Sequence, residues 1–179
     1  EQFAAGDERV RLVHQENRGH VASLNRGLEL AQGRYIARMD ADDISYPERL
    51  ERQVNFLNAN PDVGVAGTQV KVIDEEGTEI DHWTPPAEPS LVAWRLLFNA
   101  CFTHPSIMAR RSLLKELEGY ALWAESAGDH ELWTRAVQVS QLSTMPCTLL
   151  RFRRSEESIT ATKRTEQMQV NCKAATNLH

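Results

Sequence analysis

The feature that most constrains this chain is a short apolar segment, Tyr35 to Met39, that runs directly into Asp40-Ala41-Asp42-Asp43. Upstream, Val21, Leu24, Leu28 and Ala31 recur at helical spacing and the run stops at Gly33, as a helix with a C-terminal glycine does. Downstream, Ser45-Tyr46-Pro47-Glu48 spells a helix start, with Ser45 as N-cap, Pro47 in the first turn and Glu48 closing a capping box; Leu50, Val54 and Leu57 supply the buried stripe. Arg9 to His14, with Val10 and Leu12 on one face and Val13 on the other, reads as an earlier strand. Strand and helix alternating at this spacing predict a βαβ unit and a parallel sheet.

Asn60-Pro61-Asp62 ends the second helix, and Val63 to Asp74 alternates as a strand leading through Glu75-Glu76-Gly77 into a returning strand near Ile80. Pro85, Pro86 and Pro89 mark a loop before a short helix with Leu91, Trp94, Leu97 and Phe98, followed by a strand over Ser106 to Ala109. Ser112 is placed as the cap of another short helix. Gly128 to Val139 reads as a helix with Leu132, Ala136 and Val139 inward, and Thr148 to Arg153 as a late strand. One domain is expected over residues 1–160, with 161–179 a polar C-terminal tail or helix.

The 179 residues suffice for one core without disulfide or metal staples. Net charge is −5, so no excess of positive charge recruits nucleic acid. Apolar stretches such as Leu91 to Trp94 are only a few residues long, which excludes a membrane-spanning helix. Cys101, Cys147 and Cys172 are odd in number and widely spaced, which argues against a disulfide framework and a zinc site and fits a reducing, cytoplasmic location. The chain opens at Glu1 on what reads as the end of an element already under way, so it is expected to begin in mid-domain.

Ligands of open α/β sheets sit beyond the carboxyl ends of the strands, where Asp40 to Asp43 fall. Residues two apart at a strand end point the same way, so Asp40 and Asp42 face one ligand while Asp43 turns toward the next helix. Hard carboxylate oxygens suit Mg²⁺ or Mn²⁺, which commonly complete their shells with water and substrate phosphates. The competing reading is an acidic loop in which Asp43 and Ser45 satisfy the open N–H groups of a helix start.

The run Asn17-Arg18-Gly19, Leu24-Asn25-Arg26-Gly27-Leu28, Ala31-Gln32-Gly33-Arg34-Tyr35-Ile36-Ala37, Arg38-Met39-Asp40-Ala41-Asp42-Asp43 and Pro47-Glu48-Arg49-Leu50 with Gln53 resembles the central block of family 2 glycosyltransferases. Asn60 to Gly67, His104-Pro105-Ser106-Ile107-Met108, Gly128-Asp129-His130-Glu131-Leu132-Trp133-Thr134-Arg135, and Phe152-Arg153 with Ser158 and Thr160 follow in the family's order. The resemblance spans about Val10 to Thr160, and an ordered series of motifs is more specific than any one of them.

It implies an α/β, GT-A-type (Rossmann-like) fold: a mixed, mainly parallel sheet flanked by helices, here lacking its first strands. It also implies inverting transfer of a sugar from a nucleotide diphosphate sugar, foremost a UDP-sugar, to the hydroxyl of a glycan or lipid-linked acceptor in polysaccharide or glycoconjugate synthesis. By that analogy Asp42 holds Mn²⁺ or Mg²⁺ with Asp43 as a secondary ligand, and Asp40, Asn17, Gly19, Asn25 and Arg153 lie on the nucleotide side. Asp129 matches the family's general base; read without the family it is more simply a helix N-cap. His104 matches an acceptor-side position, but a single histidine beside a strand is more often a hydrogen-bonded structural residue. Trp123 is a candidate sugar platform, and Trp133 is core. Arg154 is placed beside Arg153 near the diphosphate or simply in solvent.

Gly128 stands where many relatives carry an acidic residue, and Arg154-Ser155 replaces a late histidine. The opening strand with its Pro-x-Tyr-Asn type motif and the acidic contact to the base have no counterpart in this chain. Two alternatives follow. One is a nucleotide-sugar binding or interaction module without turnover. The other, an aspartyl-nucleophile phosphatase, fails because Asp43-Ile44-Ser45 lacks the expected Gly-Thr. Residues 1–179 alone are expected to self-associate through an unpaired sheet edge and to be inactive. Attachment at the inner face of a membrane is the extension of the cytoplasmic reading.

Overall fold

The alternating run that begins at Val63 forms the spine of the structure. In a computed structural model, which describes residues 5–154 and 164–176, the elements in order are α1 (His20–Leu30), β1 (Tyr35–Ala37), β2 (Ile44–Ser45), α2 (Arg49–Ala59), β3 (Val63–Ile73), β4 (Glu79–Trp83), α3 (Pro89–Leu96), β5 (Met108–Arg110), α4 (Arg111–Glu116), α5 (Gly128–Ala136), β6 (Gln141–Arg153) and α6 (Arg164–Ala175). Turns of 3₁₀ helix lie at His104–Ser106 and Leu122–Ala124. Ser155, Ser158 and Thr160, and the boundary expected at 160/161, fall outside the described residues.

The sheet is mixed, with order β1-β5-β3-β6-β2 and β4 attached to β3. One edge of β3 is shared, pairing antiparallel with β5 at Val65 and Ala66 and with β4 from Val70 to Ile73. Its other edge carries the parallel β6 along the whole length. Parallel pairing is confined to that ladder: β1 pairs antiparallel with β5, and β2 antiparallel with β6. The predicted predominance of parallel strands and the βαβ unit around α1 are therefore corrected. The larger apolar cluster, with Val65, Leu96, Ile107, Leu132, Trp133 and Leu142, gathers residues of α1, α3, α4 and α5; a smaller one, Leu57, Val63, Ala66 and Met108, lies under α2.

Several expectations move. Arg9 to His14 joins no ladder, and Val10, Leu12 and Val13 are exposed; alternation without a neighbouring edge to pair with does not make a strand. α2 starts at Arg49 with Glu48 as its N-cap residue, because Ser45 is taken up in β2 and its hydroxyl bonds the Tyr46 carbonyl. Leu50 is 56% exposed, and the inward face is Arg49, Gln53 and Leu57. Ser112 lies inside α4 rather than capping it, β5 begins at Met108, and Val139 is exposed. The late strand begins at Gln141. Thr68 pairs with Met145 and Gln69 with Thr148, so Pro146 and Cys147 form a bulge, which lets a residue without an N–H sit inside a strand.

Beneath β1, two polar side chains tie the fold together. Gln53 donates to the carbonyls of Ala66 (3.0 Å) and Ser106 (2.9 Å) and accepts from Arg49 Nε (3.0 Å). Arg49, 1% exposed, donates through Nη2 to the carbonyls of Arg38 (2.8 Å) and Ile107 (3.2 Å). A leucine at 53 leaves two buried carbonyls without donors. Gln53→Leu is therefore expected to cost about 2–3 kcal/mol in urea unfolding, whereas Leu50→Ala, on the exposed face, costs under about 0.5 kcal/mol.

Candidate active site

β1 ends at Ala37, and the chain then turns through the acidic run into β2. Carboxylate oxygens of Asp40, Asp42 and Asp43 lie within 4.8 Å of one another. Each is held differently. Asp40 pairs with Arg38 from the strand end. Asp43, 7% exposed, accepts the Arg153 N–H at Oδ1 (2.8 Å), while its Oδ2 has no hydrogen-bond partner. Asp42 is exposed. A buried carboxylate oxygen without a donor, beside two further carboxylates, is a donor set that fits a hard divalent cation.

Arg153, expected on the nucleotide side, lines the cleft and braces the acidic turn. Its guanidinium donates to the carbonyls of Asp42 (3.0 Å), Asp74 (2.7 Å) and Glu75 (2.7 Å), tying the turn to the β3–β4 hairpin. Arg154 makes a long ion pair with Asp81 at 3.7 Å.

The acidic turn opens on a cleft of about 1390 Å³ whose lining includes Arg38, Asp40, Asp42, His104, Asp129 and Arg153. Asp129 sits in the first turn of α5, whose N-cap residue is Ala127. Among the described residues no hydrogen bond or ion pair engages its carboxylate, so the helix-cap alternative does not describe this side chain. Beneath it, His104 Nε2 meets the Tyr120 hydroxyl at 2.9 Å and the ring lies edge-on to Trp133. Desolvation pushes His104 down to about 3, against the pull of Asp129, so it is neutral at physiological pH. Trp133 is core, as expected.

Asn17, Gly19 and Asn25, expected on the nucleotide side, serve the backbone around α1. Asn17 and Asn25 are absent from the cleft lining, as is Gly19. Asn17 accepts the Gly19 N–H (3.1 Å), and Asn25 clamps the Tyr120 backbone with two 2.8 Å bonds. Gly19 has φ 89°, and a Cβ there would meet the Glu125 carboxylate at 2.8 Å. That carboxylate accepts the N–H groups of His20 and Val21 and so caps α1 from a distant loop. Sequence reasoning assigned no role to Arg38, Glu125 or His130, all of which line the cleft. Arg38 was signalled by a charge at the end of an otherwise apolar strand; Glu125 and His130 carried no local signal. His130 is buried with neither ring nitrogen bonded.

The profile of Glycosyl transferase family 2 matches residues 1–118. The chain belongs to that family. Among curated relatives, the putative glycosyltransferase EpsE of Bacillus subtilis is 38% identical over 139 residues, 75% of this chain and 49% of the relative. An O-antigen biosynthesis glycosyltransferase, WbnJ of Escherichia coli, is 33% identical over 72% of this chain and 50% of its own length. This chain thus spans about half the length of the curated relatives it matches. Among solved structures, residues 1–349 of S. aureus TarS in complex with UDP-GlcNAc have a TM-score of 0.64 at 17% identity, covering 90% of this chain and 48% of that one. The mannosyltransferase PcManGT from Pyrobaculum calidifontis, in complex with GDP-Man and Mn²⁺, has 0.57 at 14%, covering 99% and 59%. The fold of this family member is the GT-A type, and its Asp40-Ala41-Asp42 is consistent with the family's DxD motif.

Burial, reinforced by Asp40 and Asp42, raises Asp43 from 3.8 to about 6, against the Arg153 N–H. An acid whose folded value is raised binds more protons when folded, so its contribution to stability is fully present below pH 3.8 and is lost as pH rises to about 6. Asp43→Asn is expected to raise metal-free stability at pH 7 by on the order of 2 kcal/mol and to leave it unchanged near pH 3.5. Thermal melts of both proteins across that range check the sign.

Proposed function

We propose that this chain carries the transfer site of an inverting glycosyltransferase of hexosyltransferase type, moving a sugar from a nucleotide diphosphate sugar to an acceptor hydroxyl. The observation that carries the reading is that one cleft is lined both by the acidic turn and by Asp129, whose carboxylate has no hydrogen-bond or ion-pair partner among the described residues. A UDP-sugar is the first candidate donor, since TarS was solved with UDP-GlcNAc. Relatives named for O-antigen and amylovoran biosynthesis support a place in polysaccharide or glycoconjugate synthesis, with a glycan or lipid-linked acceptor. The activity is that of the whole enzyme, placed in the cytoplasm or at the inner face of a membrane; residues 1–179 alone are taken to be inactive and self-associating. Among the described residues no helix is long and apolar enough to cross a membrane.

Asp42, exposed and at the cleft, is the principal holder of Mn²⁺ or Mg²⁺, with the unbonded Oδ2 of Asp43 second. When bound, the cation neutralises charge developing on the departing diphosphate. Asp40, oriented by Arg38, lies on the ribose side. Asp129 accepts the proton of the acceptor hydroxyl as its oxygen bonds the anomeric carbon, and the bond to the diphosphate breaks on the opposite face.

Two variants separate these roles. Asp42→Ala is expected to abolish Mn²⁺-dependent binding of nucleotide diphosphate in calorimetry, and undiminished binding by a folded variant removes the assignment. Asp129→Asn is expected to keep donor affinity while turnover falls by roughly a hundredfold or more. Equal loss of binding and rate, with a lowered melting temperature, would return Asp129 to a structural role.

A further inference from the structure

A buried tyrosine and a cleft histidine form a pair whose hydrogens can be placed. His104 opens the short 3₁₀ turn, with its ring edge-on to Trp133 and tilted against Tyr120 at centroid distances of 6.1 and 5.6 Å. Tyr120 is itself fixed, because Asn25 of α1 donates to its carbonyl and accepts its N–H, both at 2.8 Å. The preceding Gly119 adopts φ 72°, and a Cβ there would stand 2.5 Å from Asn25 Oδ1.

The Tyr120 hydroxyl lies 2.9 Å from His104 Nε2 and has no other hydrogen-bond partner among the described residues. Tyr120 is 6% exposed and absent from the cleft lining. A protonated Nε2 would donate to the hydroxyl and leave the phenolic hydrogen buried without an acceptor. With Nε2 bare, the hydroxyl donates to it and both groups are satisfied. The neutral ring then carries its single hydrogen on Nδ1. His104 lines the cleft, and its Nδ1, without a partner among the described residues, keeps access to solvent.

The position of this N–H selects its ligand. The Arg38 N–H donates to the Ile107 carbonyl at 3.3 Å, which joins the entry of the acidic turn to the segment following His104. Burial keeps the imidazole neutral, opposed by Asp129 and aided by Arg38 and His20, so the ring feels charges at both ends of the cleft. A sugar passing from a diphosphate at the acidic turn to an oxygen held by Asp129 lies between those ends. A neutral N–H suits an uncharged hydroxyl oxygen, whereas a phosphate oxygen is better matched by a cation.

We propose that Tyr120 is a positioning residue that fixes His104 as its Nδ1–H tautomer, and that this N–H donates to a hydroxyl oxygen of the donor sugar. The identity of the ligand rests on reading the cleft as a sugar-transfer site; the tautomer does not.

Two measurements on the full-length protein test the halves separately. In long-range proton–nitrogen spectra of isotope-labelled histidine, assigned by loss of the signal in His104→Gln, His104 is expected to carry its hydrogen on Nδ1 and to lose that preference in Tyr120→Phe. An Nε2–H tautomer in the wild type, or a tautomer indifferent to Tyr120→Phe, overturns the positioning role. In calorimetry with Mn²⁺, UDP-GlcNAc, UDP-glucose and UDP-galactose are each compared with UDP, and the ratio of the best sugar nucleotide's affinity to that of UDP is the readout. Glutamine places its amide near Nε2 and asparagine near Nδ1. His104→Gln is therefore expected to lower the ratio about threefold to tenfold, and His104→Asn to recover part of the loss. Equal loss in both variants, an unaltered ratio, or a wild type that binds no sugar nucleotide better than UDP overturns the sugar contact. If neither UDP nor any of the sugar nucleotides binds, the transfer reading fails and takes the sugar contact with it, while the spectra judge the Tyr120 lock on their own.

Discussion

A buried guanidinium holds the acidic turn in place. Among the described residues no carboxylate is in hydrogen-bond contact with Arg49; it is satisfied by the carbonyls of Arg38 and Ile107 and by Gln53, and burial lowers it to about 10. Through those bonds α2 is fixed to the end of β1 and to the approach to β5, while Gln53 fixes it to β3 and the His104–Ser106 turn. The entry to the acidic turn is thus pinned by Arg49 and its exit by Arg153, whose backbone and side chain hold Asp43 and the Asp42 carbonyl. A lysine could not replace either, because each uses the planar fork to reach carbonyls on separate segments.

That frame forces three carboxylates together, and the structure offsets the crowding unevenly. Arg38 neutralises Asp40, and Asp43 is raised toward neutrality by burial and by its two acidic neighbours. Asp42 is left to solvent. A divalent cation would relieve the repulsion and complete the unbonded Asp43 oxygen in one step, so the metal-free turn is destabilised in a way that favours binding. The scaffold supplies that destabilisation, and its stability lies elsewhere, in the β3–β6 ladder and the Trp133 core.

Legibility in the sequence followed the range of the interactions. β3 and its hairpin were readable because alternation and turn residues are local, and the acidic run was readable because a strand end with carboxylates is unusual in itself. β6 was half missed because Ser143, Thr144 and Pro146 interrupt its apolar pattern; its pairing with β3 overrides them. Arg49 and Gln53 share a helix face with Leu57, a spacing that was visible, but two polar residues there look like the outer face until their carbonyl partners are known. Asn25 and Gly19 carried family motifs yet serve Tyr120 and Glu125, each about a hundred residues away, contacts that no local pattern encodes.

Within the stretch expected as a polar C-terminal tail or helix, Arg164–Ala175 forms α6. α6 has almost no apolar stripe, yet it packs on α5, buries Ala174, and contributes Met168, Asn171 and Cys172 to the same lining as Asp129. Its Lys173 ammonium lies 4.0 Å from the Trp123 ring centroid, covering the face expected to stack on a sugar. A partly exposed cation over an indole is worth about 0.5–1 kcal/mol. α6 therefore walls the cleft, while Trp123, absent from the cleft lining, is covered by the chain's own lysine. Helix α5 thus bears the candidate base at its N-terminal turn and supports α6.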